Sequence, residues 1–346
     1  MEKIRVLVVD DSAFMRTLIS NMLSRDPNIE VVGTAQNGQV CLEKIPKLKP
    51  DVITLDIEMP VMDGLTTLEQ ILEKFPTPVV MVSSISDEST MKTLHAISKG
   101  AVDFIPKPSN SISMNLSVLQ TEITEKVKTA SKAKIKVDKK SKITIPPSAF
   151  PFNNKDTIIC IGASTGGPRA LEEVLQSLPA KISAPILIVQ HMPAKFTNSL
   201  AKRLDRNNLI RVKEAEMNEI IKSGVAYVAP GDFHMRVIRQ GNNLAISLMQ
   251  DAARRGHRPS VDILLESLTS LSDYNKIVVI LTGMGRDGSE GIVKLKEVDQ
   301  STFVISESEQ TAIINGMPKA ARKTGHVNMT LHLDQIGETL INLLNN

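Results

Sequence analysis

The chain has 346 residues, 42% of them hydrophobic and 23% charged, with a formal net charge of +3 and only two cysteines, Cys41 and Cys160. That length suits two domains with their own cores, and the composition excludes a disordered or fibrous chain. Two cysteines cannot form a disulfide framework, the apolar runs fall far short of the roughly 20 residues of a membrane helix, and no charged segment with a long apolar stretch opens the sequence. A cytoplasmic protein that does not insert into a membrane is expected.

Ile4 to Val9 is a continuous apolar run that predicts a buried strand; it ends in Asp10 and Asp11 and leads into helical spacing at Phe14, Leu18, Met22 and Leu23. Glu30 to Thr34, Val52 to Leu55, Val79 to Val82 and Val102 to Ile105 predict further strands, with helical segments at 39–47, 64–74 and 88–99. Such alternation implies a parallel sheet covered on both faces. Leu116, Leu119, Ile123 and Val127 place a last helix within 113–131.

Parallel sheets bind ligands at the carboxyl ends of their strands, and those ends carry Asp10, Asp11, Asp56, Ser83, Ser84 and Lys107. Three carboxylates on one rim repel one another unless a cation lies between them, and an all-oxygen ligand set favours Mg²⁺. One carboxylate could then attack a phosphoryl donor, with the lysine ammonium offsetting charge on the transferred group. Helix capping is the alternative for any one of these aspartates, though not for the set.

Residues 126–153 read as a linker. Lys126, Lys128, Lys132, Lys134, Lys136, Lys139, Lys140 and Lys142 face only Asp138, and Pro146, Pro147 and Pro151 follow with little periodicity. Such lysines suggest solvation rather than recognition. The expected domains are therefore 1–125, a linker at 126–153, and 154–346.

In the second domain, Thr157 to Ile161 predicts a buried strand, and Arg169 to Leu178 places Leu171, Val174, Leu175 and Leu178 on one helical face. Between them, Gly162, Gly166 and Gly167 permit a tight turn that puts Ser164 at a strand-to-helix corner. Further strands are expected at Ile186 to Val189, Ala226 to Val228, Ile277 to Leu281 and Thr302 to Ile305. The fold class is thus α/β, with two doubly wound parallel-sheet domains, the first flavodoxin-like and the second Rossmann-like.

A serine hydroxyl needs a base, and the base an orienting carboxylate. His191 ends one predicted strand and Asp287 follows another, but Asp232 and His234 also follow an apolar run, so two histidines stay open as the base. The order Ser, His, Asp differs from that of α/β-hydrolases. The turn also lacks G-x-G-x-x-G and a Gly-Lys-Ser/Thr loop, and His191, His234 and His257 lack zinc-site spacing.

The first domain resembles the receiver domain of bacterial response regulators in Asp10-Asp11, Leu55 to Pro60, Asp63-Gly64, Met81 to Ser84 and Phe104 to Pro108. The resemblance implies phosphorylation of Asp56 by a histidine kinase, Mg²⁺ held by Asp10, Asp11 and Asp56, and Lys107 contacting the phosphoryl group. It also implies Ser83 and Phe104 as switch residues.

The second domain resembles the chemotaxis methylesterase family in Ile161 to Pro168, Gln190 to Pro193, Ala229 to Gly231, His257 to Asp262 and Leu281 to Gly288. This implies Ser164 as nucleophile, His191 as base and acid, and Asp287 as its orienting carboxylate. Backbone N–H groups at Met284 and Thr165 would form the oxyanion hole. The expected reactions, needing no cofactor for the esterase chemistry, are methyl-ester hydrolysis and glutamine deamidation on cytoplasmic helices of chemoreceptors. Arg254, Arg255 and Arg258 are candidate receptor contacts, with internal salt bridges as the alternative. The effector is a long α/β unit rather than a helix-turn-helix module, so nucleic acid is not an expected partner. The competing readings are a phosphorylation-gated receptor-binding module and a receiver-controlled serine esterase with another substrate.

Overall fold

In the computed structural model, which describes residues 2–108, 116–134 and 155–345, the first apolar run becomes β1 (Ile4–Val9). There follow α1 (Ala13–Ser24), β2 (Ile29–Ala35), α2 (Gly38–Leu48), β3 (Val52–Asp56), α3 (Gly64–Lys74), β4 (Val79–Ser83), α4 (Asp87–Lys99), β5 (Asp103–Pro106) and α5 (Leu116–Ala130). All pairings are parallel, in the order β2-β1-β3-β4-β5. The order reverses between β1 and β3, which opens a crevice at their carboxyl ends where Asp10 and Asp56 sit. Val6 to Val9 and Val52 to Leu55 are fully or almost fully buried, as strands covered on both faces must be.

The helices begin where side chains cap them. Ser12, Asn37, Asp63 and Ser86 each accept a hydrogen bond from the backbone N–H three residues on, satisfying donors that have no partner within the helix. One sequence expectation changes in α1: the buried face is Ile19, Met22 and Leu23, while Phe14 in the first turn is exposed.

The expected linker also begins too early. Residues 126–130 are the last turns of α5, and Lys126 is not a solvated lysine. Its Nζ donates to the Phe104 carbonyl at 2.5 Å, pairs with Asp103 and Glu122, and lies 4.8 Å from the centre of the Phe104 ring. Lys128 pairs with Asp26 on the turn after α1. The rest of the expected linker, from 135 onward, lies outside the described residues.

The chain divides into two compact units, residues 1–136 and 137–346. The second contains β6 (Thr157–Ala163), α6 (Gly167–Gln176), β7 (Ile186–Gln190), α7 (Phe196–Asn207), β8 (Arg211–Glu214), β9 (Val225–Val228), β10 (His234–Gln240) and β11 (Asn243–Met249). It continues with α8 (Val261–Ser267), β12 (Asn275–Ile280), α9 (Ser289–Val298), β13 (Phe303–Glu307), α10 (Gly316–Lys323), β14 (Met329–Leu331) and α11 (Leu333–Asn345). Seven parallel strands run in the order β14-β13-β12-β6-β7-β9-β8, and β10 and β11 form a separate antiparallel hairpin. The second unit is therefore doubly wound as expected, with a hairpin added. Strand order reverses between β6 and β12, so these two strands and neighbouring β7 deliver their carboxyl ends to one crevice.

Candidate functional site

Strand register brings the second unit's candidate residues together. Ala163 and Gln190 are opposite one another in the β6–β7 pair, and the His191 N–H donates to the Ala163 carbonyl at 3.0 Å, so Ser164 and His191 leave the sheet side by side. On the other flank, the Ser164 N–H donates to the Thr282 carbonyl at 3.0 Å. The Ser164 carbonyl accepts from the Gly167 N–H at 2.7 Å and from Gln190 Nε2 at 2.9 Å. The backbone of Ser164 is thereby fixed from β12, α6 and β7, while among the described residues its hydroxyl has no hydrogen-bond partner. Gly166 makes the turn into α6 at a φ of 77°, a left-handed conformation costly for other residues.

Asp287 sits beneath this corner, 3% exposed, with Oδ2 2.7 Å from His191 Nε2. The same carboxylate accepts from the Ser260 hydroxyl and from the N–H groups of Val261, Asp262 and Gly288, at 2.7–3.1 Å. Burial alone would raise its pKa, but the hydrogen bond to His191, its charge and the α8 N–H groups outweigh burial and hold the carboxyl well below the usual range. Neighbouring Asp262, fully buried, is pushed up to about 6 by burial and by Asp287, against the opposing pull of the Gly291 N–H and Arg255. The buried His191 Nδ1 has no hydrogen-bond partner among the described residues.

Of the two histidines left open by the sequence, the structure joins His191 to the aspartate. His234 is fully buried on β10, where its Nε2 lies 3.2 Å from the Ala252 carbonyl, and burial lowers its pKa. The arginines also resolve. Arg254 pairs with Glu266 and Glu290, Arg255 with Asp262 and Glu290, and Arg258 donates to the carbonyls of Gln250 and Asp251. These partners match the salt-bridge alternative: Arg254 and Arg255 tie the β11–α8 loop to α8 and α9, and Arg258 stays within the loop.

Met284 lies on the loop after β12, and this loop is anchored from below. The Gly283 carbonyl accepts from the N–H groups of Gly316 and Met317 at the start of α10, and the Gly283 N–H donates to Ile314. A Cβ on Gly283 would fall 2.7 Å from the Cβ of Ser164, so only glycine lets the loop lie this close. Thr165 is 8% exposed and its carbonyl accepts from the Thr282 hydroxyl at 3.0 Å. Glu307, fully buried at the end of β13, accepts from the Thr282 N–H at 2.7 Å and from the Thr311 hydroxyl at 3.0 Å. Burial pushes its pKa up to about 7 against those two hydrogen bonds. Nothing in the local sequence marked Glu307, because its partner Thr282 lies just past the end of neighbouring β12.

In the first unit, carboxylate oxygens of Asp10, Asp11 and Asp56 lie within 4.8 Å of one another, a spacing one cation spans. Lys107 Nζ is 2.7 Å from Asp56 Oδ2 and 3.0 Å from Asp10 Oδ2. Asp10 Oδ2 is buried beside the Lys107 ammonium but makes no well-formed hydrogen bond, so a hard cation shared with Asp11 and Asp56 would complete its surroundings. A cavity of about 250 Å³ beside Asp56 is lined by Asp11, Ile57, Glu58, Ser83, Ser84, Ser89 and Lys107, room for a phosphoryl group. Burial raises the Asp56 pKa to about 6, Lys107 opposing and Asp10 adding to the rise. Ser83 Oγ is turned to α4, accepting from Thr93 Oγ1 at 2.7 Å, and Phe104 is buried beneath Lys126.

Comparison with known proteins agrees with both halves. A family model for CheB methylesterase matches residues 159–340 and one for the response regulator receiver domain matches residues 6–118. The protein-glutamate methylesterase/protein-glutamine glutaminase of Halalkalibacterium halodurans is 50% identical over 340 residues, 98% of each chain. That of Pyrococcus abyssi is 42% identical over 352 residues, covering 98% of this chain and 93% of its own. The crystal structure of the Thermotoga maritima CheB methylesterase catalytic domain covers 54% of this chain and 98% of its own, with 42% identity and a TM-score of 0.52. The chain belongs to the CheB methylesterase family, with a response regulator receiver domain ahead of the methylesterase domain.

Proposed function

We propose that the chain is a phosphorylation-activated protein-glutamate methylesterase and protein-glutamine glutaminase acting on chemoreceptors in the cytoplasm, where it resets receptor modification during chemotactic adaptation. The observation that carries this reading is the His191–Asp287 pair, 2.7 Å apart at the carboxyl edge of the sheet that also presents Ser164. Among the described residues no helix is long and apolar enough to cross a membrane. The substrate would be met on the cytoplasmic helices of the receptor.

In the forward reaction, Ser164 Oγ attacks the carbonyl carbon of a glutamyl methyl ester while His191 Nδ1 takes the hydroxyl proton. His191 Nε2 keeps its proton on Asp287, whose negative charge stabilises the imidazolium. The tetrahedral oxyanion is met by backbone N–H groups at Met284 and Thr165, and a single such donor is worth about 10²-fold or more in rate. Collapse expels the methoxy group, which leaves as methanol with the proton from His191. A water, deprotonated by the same nitrogen, then attacks the acyl-serine; the bond to Ser164 Oγ breaks as His191 returns that proton to it, and the glutamate side chain is released. For deamidation the leaving group is ammonia and the other steps are unchanged.

In the receiver domain, Asp56 is the phosphoacceptor and a histidine kinase the donor. Asp10, Asp11 and Asp56 would hold Mg²⁺, which screens the carboxylates from the incoming phosphoryl oxygens. Lys107 supplies a second positive charge to the same oxygens. Ser83 and Phe104 are the residues whose side chains respond. The receiver extends through α5, and the catalytic domain begins with the strand β6. Mass spectrometry of receptor peptides tests the enzymatic reading: the chain should convert glutamyl methyl esters and particular glutamines to glutamates, and Ser164→Ala should convert neither.

A further inference from the structure

His257 lies against His191 with ring centroids 3.9 Å apart and planes 6° from parallel. The backbone holds it there. His257 and Arg254 exchange both N–H to carbonyl hydrogen bonds at 3.0 Å, closing a two-residue turn at Arg255 (φ 52°) and Gly256 (φ 82°). Positive φ at both central residues is the tight turn of a β-hairpin, and Arg255 accepts that conformation while paired to Asp262 and Glu290. Arg254, at the other end of the turn, is paired to Glu266 and Glu290. Two arginines and four backbone atoms thus set the height and tilt of the His257 ring.

This arrangement meets a need that the Asp287 contact leaves open. A hydrogen bond through Nε2 fixes one point of the His191 ring, and the soft torsion of an aromatic side chain still lets the ring swing about that point. Swinging moves Nδ1, the atom that must accept the Ser164 proton. We infer that His257 is a positioning residue for the esterase reaction: its flat face fixes the plane of His191, so that Nδ1 stays aimed at Ser164 while Nε2 stays on Asp287.

The stacked partner must also tolerate charge, since His191 becomes a cation during each turnover. Burial, with the charge of His191 adding to it, pushes the His257 pKa down to about 4. A neutral ring then faces the imidazolium, and an aromatic face attracts a cation rather than repelling it. A ring that stays uncharged near pH 7 serves where a lysine or a second imidazolium would oppose catalysis.

The inference rests on the Ser164, His191 and Asp287 assignment, and the experiment separates the two. Methanol release from methylated receptor membranes, activated with a small phosphodonor, is measured on the full chain for wild type and for Ser164→Ala, His257→Ala, His257→Leu and His257→Phe. Expected are loss of release in Ser164→Ala and a fall in kcat of about 10²-fold at unchanged KM in His257→Ala and His257→Leu, the size expected for a misaimed reacting group. His257→Phe, which keeps a flat face and no ring nitrogen, should recover most of kcat. The rate at which a fluorophosphonate acylates Ser164 should follow kcat across the series. Full kcat in His257→Ala or His257→Leu overturns the stacking role, as does His257→Phe being no better than His257→Leu. Release that persists in Ser164→Ala overturns the underlying assignment as well.

Discussion

His191 presents Nε2 to Asp287 at 2.7 Å and keeps Nδ1 free of any hydrogen bond among the described residues, which leaves Nδ1 as the nitrogen available to the proposed nucleophile Ser164. The neutral ring must then carry its proton on Nε2, because an ionised Asp287 can only accept. In ¹⁵N-detected spectra of the full chain, the neutral form of His191 should carry its proton on Nε2 and leave Nδ1 bare. The opposite tautomer would contradict the division of roles.

Asp287→Asn places an amide where five donors converge, counting His191 Nε2, the Ser260 hydroxyl and three backbone N–H groups. The amide can accept with one atom only, and its NH₂ competes for the His191 tautomer. A loss of kcat of about 10³-fold or more is expected from the wrong tautomer, with KM little changed. Steady-state methanol release checks this, and a loss confined to KM would assign Asp287 to binding instead.

Gly283→Ala would put a methyl 2.7 Å from the Ser164 Cβ and 2.5 Å from the Met317 sulfur. The sulfur end can yield, but the serine is tied by its backbone to Thr282, Gly167 and Gln190. The expected result is a folded enzyme whose Ser164 reacts with a fluorophosphonate about 10²-fold more slowly. Wild-type labelling would mean that the loop relaxes away from the serine.

Glu307 yields a pH prediction with a definite sign. Its folded pKa, about 7, lies above the ordinary 4.5, so between those values the folded state holds a proton that the unfolded chain has released. Stability therefore falls as pH rises from 4.5 to 7, by about 3 kcal/mol for the whole shift, and is level above. His257 acts oppositely between about 4 and 6.5, since there the unfolded chain takes up the proton. Comparing Glu307→Gln with wild type isolates the first effect, because glutamine can accept from the Thr282 N–H and donate to Thr311. The variant should gain stability relative to wild type across pH 4.5 to 7 in calorimetric scans; a flat difference would contradict a protonated Glu307.

Chelating Mg²⁺ or substituting Asp56→Asn should abolish labelling of the chain by a radioactive small phosphodonor. The carboxylates would otherwise face the phosphoryl oxygens with Lys107, among the described residues, as the one cation paired to both Asp10 and Asp56. Labelling that survives Asp56→Asn would place the phosphoacceptor elsewhere.

Much of this arrangement is legible in the sequence because doubly wound sheets put function at strand ends, and strand ends show as the point where an apolar run stops. Asp10, Asp56, Ser164 and His191 all lie at such points. Asp287 was reachable only through the glycine-rich motif around it, since six residues of loop separate it from β12. The β10–β11 hairpin could have been read from alternation about Gly241-Asn242, with Met235, Val237, Leu244 and Ile246 turned inward. Lys126 and Lys128 fall in the helix expected within 113–131, yet they look solvated until Asp103, Glu122 and Asp26 are brought to them by the fold. Glu307 was silent, and His257 stood out only within its motif, for a similar reason: a buried carboxylate and a stacked ring acquire their meaning from residues that tertiary contact supplies. The arginines after β11 stayed between two readings, because basic residues near an acidic substrate and basic residues in an internal ion-pair network have the same sequence.

The most direct test of the account is methanol release from methylated receptor membranes, with and without a small phosphodonor, for the full chain, Asp56→Asn and Ser164→Ala. Release that rises with the donor, loses that rise in Asp56→Asn and disappears in Ser164→Ala is the predicted result. Release that persists without the Ser164 hydroxyl would contradict it.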